Sequence, residues 1–167
     1  MTLITEETLD STLDNITALD EEGLSELFSD YFARQPFLMT YIMTTSESLA
    51  NDAARNDLVF MLLLTMECFY SFDKTIPLVT EEQIEEEENK QLEILEKFEK
   101  ITDEAEQEEM AMSLVSSQVH LFEYLGDIMN GGEEDDSQSN FNDDDAGAAF
   151  GSMKLVADLL TKATDYK

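Results

Sequence analysis

From Leu58 to Met66 the chain carries no charge and a single polar side chain, Thr65, between Asp57 and Glu67. A helix that is apolar on every side has to be covered on most sides, so this stretch dictates that the rest of the chain wraps around it. It falls far short of the ~20 apolar residues needed to cross a bilayer. A fully buried pair of strands competes as a reading, but the length of the run and its Leu and Met content favour a helix. The sequence therefore predicts a central helix over 57–72.

The remaining apolar residues recur at spacings of three and four, and only two prolines, Pro36 and Pro77, interrupt them. That is the helical period. Leu9, Leu13, Ile16 and Leu19 line a first helix. Thr5 is placed to cap it, and Glu6 and Glu7 sit in the first turn, where the helix dipole favours anions. A second helix runs from about Asp20 to Gln35 on Leu24, Leu27, Phe28, Tyr31 and Phe32. Pro36 ends it and opens a third helix bearing Phe37, Leu38, Tyr41 and Ile42. Thr80-Glu-Glu-Gln83 has the spacing of a capping box, and the helix it starts carries Ile84, Leu92, Leu95, Phe98 and Ile101. Its leucine stripe reads as core. Thr102 either caps a new helix or is passed over inside one of 29 residues. Met110, Leu114, Val115, Gln118, Leu121, Phe122 and Leu125 read as one further face, stopped by glycine at 126 or 131–132. A last helix follows over about 148–164. The expected fold is an all-α single domain over residues 1–167, a bundle of six or seven helices around the 57–72 segment. An acidic stretch at 131–147, nearly devoid of apolar residues, is expected to be a mobile loop.

Composition then removes function classes. The 167 residues include 39 acids and 9 bases, a formal net charge of −30. Direct nucleic-acid binding needs clustered Lys and Arg, and an anionic membrane is repelled as well. One cysteine, Cys68, permits no internal disulfide, and one histidine, His120, permits no two-imidazole zinc motif. The start Met1-Thr-Leu-Ile-Thr-Glu-Glu lacks the basic, then apolar, pattern of a signal peptide, which makes a cytoplasmic location the expectation.

The motifs that resemble chemistry are incomplete. Gly147 to Lys154 imitates a phosphate loop with the wrong spacing and three aspartates in front of it, and reads better as a hinge and helix start. Ser71-x-x-Lys74 lacks the companion motifs of serine acylases. A Cys68–His120 dyad would join residues about fifty positions apart, and a Cys inside an apolar helix is ordinarily inert packing. His120 is expected to lean on a carboxylate such as Glu123. Ser117 stands where a di-iron bundle needs the Glu of Glu-x-x-His. Asn140, Asn142 and Asp144 alternate as in a calcium loop, but Asp145 replaces the required Gly and no closing Glu follows, leaving only loose divalent binding. No cofactor and no metal site is implied.

The acidity is concentrated. Residues 81–109 hold 14 acids against three lysines, and 123–145 hold nine acids and no base. The expected role is a non-enzymatic interaction module for a basic protein partner, with Glu81, Glu82, Glu85, Glu86, Glu87, Glu88, Glu104 and Glu108 as the contact surface. Two alternatives stand beside it. One is a carboxylate-metal enzyme. The other is a nucleic-acid mimic, for which a 29-residue helix, about 44 Å long, carries one net charge per ~4 Å against one per about 1.7 Å in duplex DNA. High charge as a solubility or high-salt device is the plain reading of the same numbers.

Overall fold

A computed structural model describes residues 3–114, 118–129 and 141–165, with the side chains of 111–114 and 143 left out. Among them are eight α-helices and no strand. They are α1 (Glu6–Thr17), α2 (Glu21–Arg34), α3 (Pro36–Glu47), α4 (Asp52–Phe72), α5 (Glu81–Lys100), α6 (Glu104–Leu114), α7 (Val119–Met129) and α8 (Asp143–Asp165).

The all-helical class agrees with the periodicity, but eight helices replace the expected six or seven. The chain turns extended at Ile101 after α5, and Asp103 Oδ1 accepts a bond from Ala105 N as α6 begins. The face expected to run from Met110 to Leu125 is not one helix either. Gln118 lies outside helix, its carbonyl receives the Phe122 N–H, and α7 starts at Val119. Leu114 and Val115, expected on that face, lie outside the described side chains.

Capping fixes most helix starts. Thr5 accepts from Thr8 N, Asp20 from Gly23 N and Asn51 from Ala53 N. Each satisfies a donor that has no partner inside its helix. Helix α4 is longer than the expected 57–72, because Asn51 and an Arg55 Nε bond to the Leu49 carbonyl (2.7 Å) hold a polar first turn. It packs against α1, α3, α7 and α8, and Leu58, Met61, Leu62, Leu64, Met66 and Phe69 are fully buried. Leu19 and Phe32, expected on apolar faces, are 38% and 42% exposed; Leu19 lies past the end of α1.

Residues 131–140 of the expected acidic loop lie outside the described residues. From Asp143 onward the expectation of a loop fails, since α8 begins there. Asn142 Oδ1 accepts from Asp145 N (2.8 Å), and the buried Asp145 carboxylate accepts from Ala50 N (3.3 Å) in the loop that precedes α4. Capping and a tertiary bond therefore turn three aspartates into a helix start.

The linker between α4 and α5 is tied down by one side chain. Gln35 is fully buried between α2 and α3. Its Nε2 donates to Tyr70 Oη (3.0 Å) and the Pro77 carbonyl (2.9 Å), and its Oε1 accepts from Val79 N (2.9 Å). Val79 immediately precedes the cap of α5, so Gln35 helps to set where that helix leaves the core.

Candidate interaction surface

Helix α5 opens on a complete capping box, with Thr80 Oγ1 accepting from Gln83 N (3.2 Å) and Gln83 Oε1 from Thr80 N (2.9 Å). Its inner side holds Ile84, Glu87, Gln91, Ile94 and Phe98, the first two buried and the others half-buried. Gln91 Nε2 donates to the Gly151 carbonyl of α8 at 3.1 Å. Beyond Ile84 the apolar residues of α5 stand apart from the main core; Ile101 and Met110 line a shallow depression between α5 and α6.

Among the expected contact residues, Glu81, Glu82, Glu85, Glu86 and Glu88 are exposed on α5, and Glu104 and Glu108 are exposed on α6. Glu87 departs from the expectation. It is buried, and its Oε2 accepts from Lys162 Nζ of α8 at 2.5 Å, with Lys90 Nζ 3.8 Å away. Position 87 lies three residues after Ile84 and so shares its inward face. Burial disfavours the Lys162 charge, but the hydrogen bond and the charge of Glu87 outweigh it and hold the ammonium above its ordinary range. These groups edge a cleft of about 350 Å³ between α5 and α8, floored by Pro77, Leu78 and Leu159. Both lysines turn to Glu87, and with Glu86 also lining the cleft its two acids balance its two bases.

Leu92 and Leu95 correct a second expectation. Read as core, they are 58% and 49% exposed. The apolar period of α5 therefore mixes an inward set (Ile84, Ile94, Phe98) with an outward pair.

The other chemistries are placed as follows. Cys68 is fully buried, with its thiol pushed up to about 11 by burial against a small lowering from the Thr12 hydroxyl. His120 is half-exposed on α7 with Nδ1 3.9 Å from Glu6 Oε1, so its carboxylate neighbour comes from α1 and not from Glu123. Ser71 Oγ donates to the Cys68 carbonyl (2.6 Å), a helix back-bond. Gly147 to Lys154 lies inside α8, with no hinge, and Lys154 pairs with Asp158 at 2.5 Å. Asn142, part of the imagined calcium set, caps α8; Asn140 lies outside the described residues. Among the described residues no group of three or more His, Cys, Asp or Glu is placed to hold a metal ion. No described helix is long and apolar enough to cross a membrane.

A polar pair that the sequence reading missed joins α2 to α4. The Tyr31 hydroxyl donates to Glu67 Oε1, and the two rings of Tyr31 and Tyr70 meet at 5.4 Å. Burial first, and then the Glu67 hydrogen bond, raise the Tyr31 phenol far above its ordinary range. In the sequence Glu67 marks only the end of the apolar run. Nothing in its local pattern points to a tyrosine thirty-six residues earlier.

Comparison of the sequence with protein-family models and with curated proteins, and of the fold with solved structures, finds no match.

Proposed function

We propose that the chain is a non-enzymatic, single-domain interaction protein that receives a basic protein on the acidic outer surface of α5. One observation carries the reading. Glu81, Glu82, Glu85, Glu86 and Glu88 are all exposed, while Glu87, the acid that has a close cationic partner, is turned inward. Exposed like charges on one rigid helix raise the approach rate of a cationic partner and repel anionic ones.

The nucleic-acid mimic is the weaker reading. Helix α5 has nine glutamates and three lysines over 20 residues, a net −6. At about 1.5 Å per residue that is one net charge per ~5 Å, about a third of the linear density of duplex DNA. The break at 101–103 also prevents α5 and α6 from forming one straight rod. No observation favours the carboxylate-metal enzyme.

The test is affinity purification from the native host with the unaltered protein and with a variant carrying Glu→Gln at 81, 82, 85, 86 and 88. Basic partners that bind near ~0.05 M salt, leave by ~0.5 M and are lost by the variant support the proposal, because screening shortens the reach of exposed charges towards 3 Å. Neutral partners, or capture by both forms regardless of salt, refute it.

A further inference from the structure

The outward face of α5 is not uniformly charged, and its composition specifies what it accepts. At 3.6 residues per turn, Glu85, Glu88, Leu92, Leu95, Glu96 and Glu99 share a sector of about 100°. All six are exposed. Leu92 has glutamates four and seven residues away in both directions, and Leu95 has Glu88 and Glu99 at the same spacings, so each leucine is ringed by carboxylates on its own face. The lysines Lys90, Lys97 and Lys100 lie outside this sector, on the flank between it and the buried side. Helix α5 therefore has three faces: one against α3 and α8, one mixed in charge, and one of leucine within glutamate.

We infer that the third face docks a basic amphipathic helix, whose apolar side chains seat on Leu92 and Leu95 while its Lys and Arg pair with Glu85, Glu88, Glu96 and Glu99. This deepens the reading of a basic partner and rests on it. Charge selects the occupant. A second copy would set four carboxylates against four with no compensating base, and an anionic lipid surface meets the same repulsion. A purely polar cation would leave the leucine pair in water, whereas a basic helix with an apolar stripe covers it and keeps the charges at the rim, which is the usual arrangement of a recognition groove or face. The stretch from Glu85 to Glu99 spans about 21 Å at 1.5 Å per residue, which suits a partner helix of about four turns.

Two synthetic peptides of equal length and charge test the inference on the full chain: an oligolysine diluted with Gly and Ser, and a Lys/Leu amphipathic helix. Binding is followed by fluorescence anisotropy at ~0.15 M salt, where the Debye length is about 8 Å. The amphipathic peptide is expected to bind at least about tenfold more tightly, and Leu92→Ala and Leu95→Ala each to weaken that peptide alone by about tenfold, the order expected for withdrawing one buried leucine anchor. Replacing Glu85, Glu88, Glu96 and Glu99 by Gln should weaken both peptides. All six side chains are exposed, so the variants keep the fold, which circular dichroism verifies. If both peptides bind alike and the leucine variants change nothing, the leucine anchor is wrong while the basic-partner reading survives. If the four-Gln variant binds both as before, this face is overturned as the docking site while the basic-partner reading survives on Glu81, Glu82 and Glu86; if neither peptide binds, the two readings fall together. If Leu92→Ala instead abolishes a concentration-dependent dimer in sedimentation, the occupant is a second copy and the inference is overturned.

Discussion

Replacing Gln35 with Met keeps the length of the side chain and removes its amide. Three groups lose a partner: the Val79 N–H, the Tyr70 hydroxyl oxygen and the Pro77 carbonyl. Pro77 is exposed, so water replaces the bond to its carbonyl at little cost. Val79 and Tyr70 are only 2% and 3% exposed. An orphaned buried donor or acceptor costs about 1–3 kcal/mol, and two of them come to roughly 2–6. Removing the desolvated amide itself returns about 1–2 kcal/mol, since methionine is content in an apolar site. The net expectation is a destabilisation of about 1–4 kcal/mol. Urea unfolding followed by circular dichroism measures it, with the slope on denaturant unchanged, because neither the extent of the core nor the unfolded chain changes. Hydrogen exchange at Val79 should accelerate by more than the global change, because its only acceptor among the described contacts has gone. A loss below about 1 kcal/mol with an unchanged slope, together with protected exchange at Val79, would refute the reasoning and show that the linker before α5 is held by something other than Gln35.

Cys68, buried with its thiol pushed up to about 11, should resist a thiol reagent at pH 8 in the native protein and react completely in denaturant; fast native labelling contradicts this burial. Alkali should unfold the protein. Tyr31, Tyr41, Tyr70 and Tyr124 are all raised, chiefly by burial, so above the ordinary tyrosine value of about 10 the unfolded chain sheds phenolic protons that the native one keeps. Lys162, also raised, acts in the same direction, and stability present below about pH 10 is lost as pH rises, by up to about 1.4 kcal/mol per pH unit for each fully retained proton. A flat denaturation midpoint from pH 9 to 11 would oppose this. At the α5–α8 junction, Lys162→Met should destabilise more, about 2–3 kcal/mol, than Glu87→Gln, about 1 kcal/mol, when both are measured by urea unfolding. The first leaves a buried carboxylate with only the more distant Lys90, 3.8 Å away, whereas the second frees a lysine already half in water. The reverse order would mean that Glu87 is not the desolvated partner.

How much of the fold the sequence discloses depends on how local the cause is. Thr5, Asp20 and Thr80 each act on the residue three positions on, and the sequence places all three helix starts to within a residue. Asn142-x-x-Asp145 has the same N-cap spacing, yet seven acids between Gly131 and Asp145 read as a solvated loop by composition. The deciding interactions are the Asn142 cap and the bond that Asp145 accepts from Ala50 N, ninety-five residues away, and a composition window sees neither. The same division explains α4. Its apolar stretch is legible, whereas its first turn is polar and depends on Asn51 and on Arg55 reaching back to Leu49.

Helix α5 shows the limit of periodicity most clearly. Ile84, Leu92, Leu95 and Phe98 are spaced as one helical stripe in a loose reading, but about 100° of rotation per residue puts Leu95 some 60° from Phe98, and Leu92 about 120° from it. A stripe that wide cannot all face one neighbour. The inner edge is settled by a charge: Glu87, between Ile84 and Gln91 on the buried side, needs a cation from another helix, and Lys162 of α8 supplies it. Once that pair fixes the rotation of α5, Leu92 and Leu95 have to point outward. On this account their exposure follows from where the buried carboxylate sits, in competition with the packing of Ile84 and the Gln91 bond to Gly151. Exchanging Glu87 and Lys162 for a matched apolar pair, Glu87→Leu with Lys162→Met, removes that constraint while keeping the junction filled. If the ion pair sets the rotation, a nitroxide or fluorophore attached at position 92 should become less solvent-accessible in this double variant. An unchanged accessibility would place the cause in the packing of Ile84 and in the capping box instead.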